Sequence, residues 1–157
     1  MKIKILAVGK TVDKNLEILI DKYLKRLKHY LSVSLEILPD VKNAKNLSEK
    51  EQRRIEGEAI LKKVQSNDQF VLLDEKGKEF RSIEFSKFLQ KKMNAGTRKL
   101  VLVVGGPYGF SDAVYQRANE KMSLSRMTLS HQMIRLFLAE QVYRAFTILR
   151  NEPYHHE

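Results

Sequence analysis

A chain of 157 residues is long enough for a single domain with a real core, and 43% apolar against 31% charged residues is too apolar for a disordered one. The 29 Lys and Arg against 19 Asp and Glu leave a net charge of +10, which favours a polyanionic partner, RNA or DNA before a membrane, and is silent about chemistry. The absence of cysteine excludes a disulfide framework, a thiolate metal site and a Cys nucleophile.

The opening KIKILAV alternates and then turns apolar, which predicts a strand ending at Gly9. Its apolar end, Ile5–Val8, is far shorter than a signal-peptide core, and no stretch approaches a membrane span, so the expected location is the cytoplasm. Asp13 is placed to cap a helix that carries Leu16, Ile20, Tyr23, Leu24 and Leu27 on one face. VSLEIL alternates again and stops at Pro39, a second strand. The basic loop that follows leads to Ser48 and Glu51, spaced as a capping box for a helix with Ile55, Ala59, Ile60 and Val64 inward.

QFVLLD predicts a short buried strand and EKGK the turn that ends it. A helix over Ser82–Asn94, with Ile83, Phe85, Phe88 and Leu89 inward, should stop at Gly96. KLVLVVGG is the most apolar strand of the chain, and SDAVYQRANEKM the next helix, capped by Ser111 or Asp112. SLSRMTLS, Ser123 to Ser130, is expected as a short strand with flanking loops. The final helix, HQMIRLFLAEQVYRAFTILR, is apolar nearly all round, with a thin polar stripe of Arg135, Glu140, Arg144 and Thr147. Such a helix needs cover on both sides, which a partner subunit would provide. Strands alternating with helices of this length predict a three-layer α/β domain over residues 1–157 with a mainly parallel sheet.

Gly105 and Gly106 follow the most apolar strand, where open α/β sheets bind ligands, and a missing side chain there lets a ligand approach the backbone. The pattern lacks the Gly-Lys-Ser/Thr of a P-loop and the first glycine of GxGxxG, so phosphate binding is disfavoured. Leu73 and the hydroxyl-rich Ser123–Ser130 segment can meet the glycines at one sheet edge and offer backbone donors and acceptors to a flat heterocycle. Glu140 and Arg144 are spaced for an ion pair, and on a helix buried on both sides Arg144 would face an interface or an anion. His131 opens that helix, where the positive helix end disfavours imidazolium. His155 and His156 lack carboxylate partners at a metal-binding spacing, and no metal is expected. Two basic groups are candidates for phosphate contacts: Lys42, Lys45, Lys50, Arg53 and Arg54, and Lys87, Lys91, Lys92, Arg98 and Lys99.

VVGGPYGF, SLSRMTLSHQMIRLFLAEQVYRAF and the terminal NEPYHHE, with MKIKILAVGK and LLDEKGK, resemble the ribosomal RNA large-subunit methyltransferase H family across essentially the whole chain. That family belongs to the SPOUT methyltransferases, so the resemblance implies a C-terminal trefoil knot, which general rules of chain topology argue against. It implies a homodimer that moves a methyl group from S-adenosylmethionine to N3 of a pseudouridine in large-subunit rRNA of the assembled ribosome. It also implies a cofactor site formed by Leu73, Gly105, Gly106 and the backbone of Ser125, Arg126, Met127, Thr128, Leu129 and Ser130.

The tail PYHHE would then fold back beside the cofactor of a dimer site and bring Tyr154 and His155 to the target base. His155 is the candidate general base, Tyr154 a stacking or orienting group, Arg144 a phosphate or base-carbonyl contact, and His131 a weaker catalytic candidate. Members commonly carry Arg or Lys where this chain has His156. Two other classes fit parts of the pattern: a cofactor-free RNA-binding assembly factor, and a nucleotide-binding or hydrolytic α/β enzyme, against which stand the missing P-loop and G-x-S-x-G elbow.

Overall fold

The computed structural model describes residues 1–156, and Glu157, the last residue of the expected domain, lies outside them. Strands β1 (Lys2–Val8), β2 (Ser32–Leu38), β3 (Gln69–Glu79), β4 (Lys99–Val104) and β5 (Glu120–Ser123) alternate with helices α1 (Lys14–Leu27), α2 (Glu49–Leu61), α3 (Ser82–Asn94) and α4 (Asp112–Arg117). Helix α5 (Met133–Leu149) closes the chain, and a 3-10 turn at Ala44–Asn46 precedes α2. All strand pairs are parallel, in the order β2-β1-β4-β3-β5.

The crossovers explain the layers. The β1-to-β2 and β3-to-β4 connections step one way across the sheet and the β2-to-β3 and β4-to-β5 connections step the other. Right-handed crossovers in opposite directions must lie on opposite faces. Accordingly Ile3, Ile5, Leu100 and Leu102 pack toward Leu27, Leu89 and Leu138 of α1, α3 and α5, whereas Leu6, Val8, Val101 and Val103 pack toward Ile60 and Val114 of α2 and α4. The central β4 is buried on both faces, which is why its sequence is the most apolar.

The caps follow the expected chemistry. Asp13 Oδ1 accepts from Asn15 N at 2.8 Å, Ser48 Oγ accepts from Glu51 N at 3.2 Å, and the chain leaves α3 through Gly96 at φ 73°. Elsewhere the expectations need correction. EKGK does not end its strand: β3 pairs with Met122 at Leu73 and again at Lys78, so residues 74–77 form an excursion inside it. Asp74 Oδ1 accepts from Lys76 N at 2.8 Å within that excursion, and a Cβ on Gly77 would come within 2.4 Å of the Met122 backbone. The turn residues thus make a bulge where β3 and β5 cross at backbone contact.

Helix α4 stops at Arg117 rather than Met122, because Asn119 turns into the sheet: its N–H donates to Phe70 O at 2.8 Å and its Oδ1 accepts from Phe70 N at 2.7 Å. The short strand is therefore Glu120–Ser123, and Ser123–Ser130 is a loop. His131 precedes α5 instead of opening it, and Ser130 supplies the cap, accepting from Met133 N at 3.2 Å. The inward side of α2 is Glu56, Gly57 and Ile60, with Ile55 only partly covered and Val64 beyond its end. Arg135 and Thr147 do not belong to a polar surface stripe: both are buried, and Arg135 donates to Val8 O at 2.6 Å and to Thr11 Oγ1 at 2.8 Å.

Candidate functional site

The carboxyl ends of β3, β4 and β5 open into a cavity of about 620 Å³. Leu73 comes from β3, Gly105 and Gly106 follow β4, and Ser125, Arg126, Met127, Thr128, Leu129 and Ser130 form the loop that continues from β5. Hydroxyls hold this loop in place. Ser123 Oγ donates to Ser125 O at 2.9 Å, and Ser125 Oγ accepts from Met127 N at 2.9 Å. Arg126 lends the cavity its backbone while its exposed side chain pairs with Glu79 at 3.0 Å, and Met127 is 78% exposed. The N–H groups of Arg126, Thr128 and Leu129 make no backbone hydrogen bond among the described residues, which leaves them available to a ligand.

The glycines serve a different purpose from the one their position predicts. A Cβ on Gly105 would stand 2.9 Å from the Phe110 ring, and one on Gly106 would stand 2.5 Å from Glu56 Oε2. Their missing side chains make room for packing behind the turn rather than for a ligand in front of it. Glu56 is 5% exposed; its Oε1 accepts from Gln52 Nε2 at 3.0 Å and its Oε2 has no protein partner. Desolvation, with a smaller contribution from Asp40, raises its carboxyl pKa above the ordinary range. Sequence patterning misses Glu56 because a carboxylate on an amphipathic helix counts as solvent-facing. The signal that could have found it is its place one residue before the small, buried Gly57 on the inward side of α2.

At the cavity wall, Tyr115 Oη donates to Asp74 Oδ2 at 2.5 Å. Burial and this carboxylate push the phenol up to about 12, so it stays a donor at neutral pH. His131 and Ile134, at the start of α5, also line the cavity.

The remaining candidates gather elsewhere. The tail folds against α5 and α1: Tyr154 Oη donates to Glu140 Oε1 at 3.1 Å and lies 3.4 Å from Tyr23 Oη, and its ring meets Tyr143 edge-on at 4.9 Å. The Tyr30 hydroxyl donates to Glu152. Arg144 bridges to the same carboxylate, with Nη2 2.6 Å from Glu140 Oε1, and its guanidinium sits 4.8 Å from the Tyr154 ring centroid. Burial, then Tyr23 and Glu140, hold the Tyr154 phenol well above its usual pKa, and the Glu140 bond raises Arg144.

Arg144 Nη1 is 3.3 Å from His155 Nδ1. A guanidinium can only donate, so in this contact Nδ1 is the acceptor. Tyr154, His155 and Arg144 therefore form one cluster, apart from His131. From Ile134 at the cavity the helix advances about 9 Å to Glu140 and about 15 Å to Arg144, so along α5 the tail cluster stands apart from the cavity of the same chain.

The chain matches one class of enzyme over nearly its whole length. The family model described as predicted SPOUT methyltransferase covers residues 1–155, and the chain belongs to that family. Among curated relatives it is 60% identical to a protein of Flavobacterium johnsoniae over 157 residues, 100% of both chains. It is 59% identical to one of Parabacteroides distasonis and 55% identical to one of Porphyromonas gingivalis, again over 100% of both chains. Each of these relatives is named ribosomal RNA large subunit methyltransferase H. No helix among the described residues is long and apolar enough to cross a membrane.

Proposed function

We propose that this chain transfers the methyl group of S-adenosylmethionine to N3 of a pseudouridine in large-subunit rRNA of the assembled ribosome, as a cytoplasmic homodimer. The observation that carries this reading is the cavity between the Gly105–Gly106 turn and the Ser125–Ser130 loop, in a chain matched from end to end by rRNA methyltransferases. The residues present fit the cofactor. The cavity lies within the roughly 300–1,000 Å³ of small-molecule sites. The free N–H groups of the loop suit the edge of an adenine, and Asp74 and Glu75 offer counter-charge to a sulfonium. The trefoil knot belongs to the same proposal, supported by membership of the SPOUT methyltransferase family.

When bound, S-adenosylmethionine supplies a methyl on a positively charged sulfur. The protein then has to align N3 and accept its proton as the N–C bond forms and the C–S bond breaks. His155 takes that proton through the lone pair of Nδ1, which Arg144 occupies at 3.3 Å. Arg144 therefore turns to a carbonyl or phosphate of the target nucleotide and releases Nδ1. Tyr154, fixed by Glu140 and Tyr143, orients the base.

Because the tail cluster stands apart from its own cavity along α5, His155 and Tyr154 serve the cavity of the partner subunit. The outer side of α5 supports such a dimer, with Phe137 42% exposed and Met133 and Leu136 only partly covered. Calorimetric titration with S-adenosylmethionine, beside a Leu129→Trp variant that fills the cavity, tests the reading. Mass spectrometry of rRNA from treated ribosomes should then locate the methyl group at N3. Saturable binding lost in the variant is expected; no binding with or without ribosomes contradicts the proposal.

A further inference from the structure

A net charge of +10 does not say which surface meets the ribosome. The two basic groups differ in place and in pairing. In the α3 group, Lys92 Nζ donates to Gln69 Oε1 at 3.0 Å and pairs with Glu120, and Lys99 Nζ lies 2.7 Å from Asp68 Oδ2. Gln69, Lys99 and Glu120 begin β3, β4 and β5, so this group sits at the amino edge of the sheet. The cavity opens at the carboxyl edge, and from Gln69 to Leu73 alone β3 advances about 13 Å.

Lys42, Lys45, Lys50 and Arg53 lie between the carboxyl end of β2 and the start of α2, on the cavity side of the sheet. Among the described residues none of them forms an ion pair with a carboxylate, and Glu51 and Glu58 of α2 are both taken by Arg54. Arg53 itself lines the cavity. The neighbouring groove is lined by Lys50, Arg53 and Arg54 together with Glu51, Glu58 and Asp112, so the surplus of positive charge lies toward Lys42 and Lys45.

Resting on the proposed function, we infer that the segment from Lys42 to Arg53 is the cationic surface that holds rRNA phosphates flanking the target nucleotide, and that the α3 group is not. Phosphate contacts fix register without reading sequence, and of the two basic groups only this segment joins unpaired positive charge to the cavity wall. A nucleotide presented at the mouth of the cavity leaves its neighbouring phosphates beside Arg53 and the Lys42–Lys50 loop.

Two triple charge reversals make the test: Lys42→Glu/Lys45→Glu/Lys50→Glu and Lys87→Glu/Lys91→Glu/Arg98→Glu. They change net charge equally and spare the cavity lining. Binding to assembled ribosomes is measured by sedimentation across a salt series, and methyl transfer and S-adenosylmethionine affinity are measured in parallel. The loop variant should weaken ribosome binding more than about tenfold and lower the salt slope by about two, since each lost phosphate contact removes about 0.7–0.9. It should keep its cofactor affinity, and the α3 variant should bind ribosomes within about twofold of wild type. Equal losses in both variants, or a loss confined to the α3 variant, overturn the inference. Wild-type protein that binds ribosomes through the loop without methylating them contradicts the proposed function and leaves the surface standing; wild-type protein that binds no ribosomes overturns both.

Discussion

The cavity at the sheet edge and the cluster around the tail are built from opposite materials. The cavity is mostly main chain, with glycines, a loop held by serine hydroxyls and free N–H groups. The tail cluster is almost wholly side chain, in which one carboxylate, Glu140, holds both Arg144 and Tyr154 while Arg144 holds His155. A backbone-lined cavity recognises shape and the edges of a ring. The histidine that faces a guanidinium is the group to which the proposed function assigns the proton. That the two stand about 9–15 Å apart along α5 is the physical reason why the proposed function joins them only across two protomers.

The largest expected effect separates chemistry from binding. His155→Ala should lower kcat for rRNA methylation at least about a hundredfold, the usual worth of a general base, while calorimetry finds its S-adenosylmethionine affinity unchanged. Loss of cofactor affinity in this variant would make His155 part of the cofactor's own binding site and erase the contrast between the two regions.

A smaller effect concerns what stands behind the glycine turn. Gly106→Ala drives a Cβ to 2.5 Å from Glu56 Oε2 and should cost about 1–3 kcal/mol of unfolding free energy, as overpacked cores do. Glu56→Ala in the same chain removes the clash, so a denaturant double-mutant cycle should find the two changes strongly non-additive. Simple additivity would show that the turn is not braced by Glu56.

The mildest effect is a pH dependence. Burial raises the Glu56 pKa, so the native state holds this proton more tightly than the unfolded chain does. The native state is therefore penalised as pH rises from the unfolded value of about 4.3 through the raised native value. Glu56→Gln, which cannot ionise, should melt above wild type at neutral pH, and the gap should close as pH falls below that window. A gap independent of pH would mean that folding leaves the Glu56 pKa unchanged.

These contrasts also explain what the sequence disclosed. Strands β1 and β4, the Asp13 and Ser48 caps and the place of the Gly105–Gly106 turn were legible because each depends on neighbours in the chain. The excursion at residues 74–77 was not, since only the second pairing of β3 with β5 turns a local turn signal into a bulge. Nor were the buried Glu56 and Arg135. Their burial is set by Gly106 and by the Val8 carbonyl, partners far away in the chain, and charge patterning assigns such residues to solvent. The positions lining the cavity were legible from the resemblance, but the reason for the glycines was not: the space they leave belongs to Phe110 and Glu56.

The most direct test of a site shared between protomers is complementation between two inactive chains. A His155→Ala protein and a Leu129→Trp protein, each unable to methylate rRNA alone, are unfolded together, refolded as a mixture and assayed on ribosomes. If each site joins one protomer's cavity to its partner's tail, half of the dimers are mixed and each of those holds one intact site, so the mixture should recover about a quarter of wild-type activity. Activity no greater than that of the separate variants, in a mixture shown by mass spectrometry to contain mixed dimers, would contradict the account.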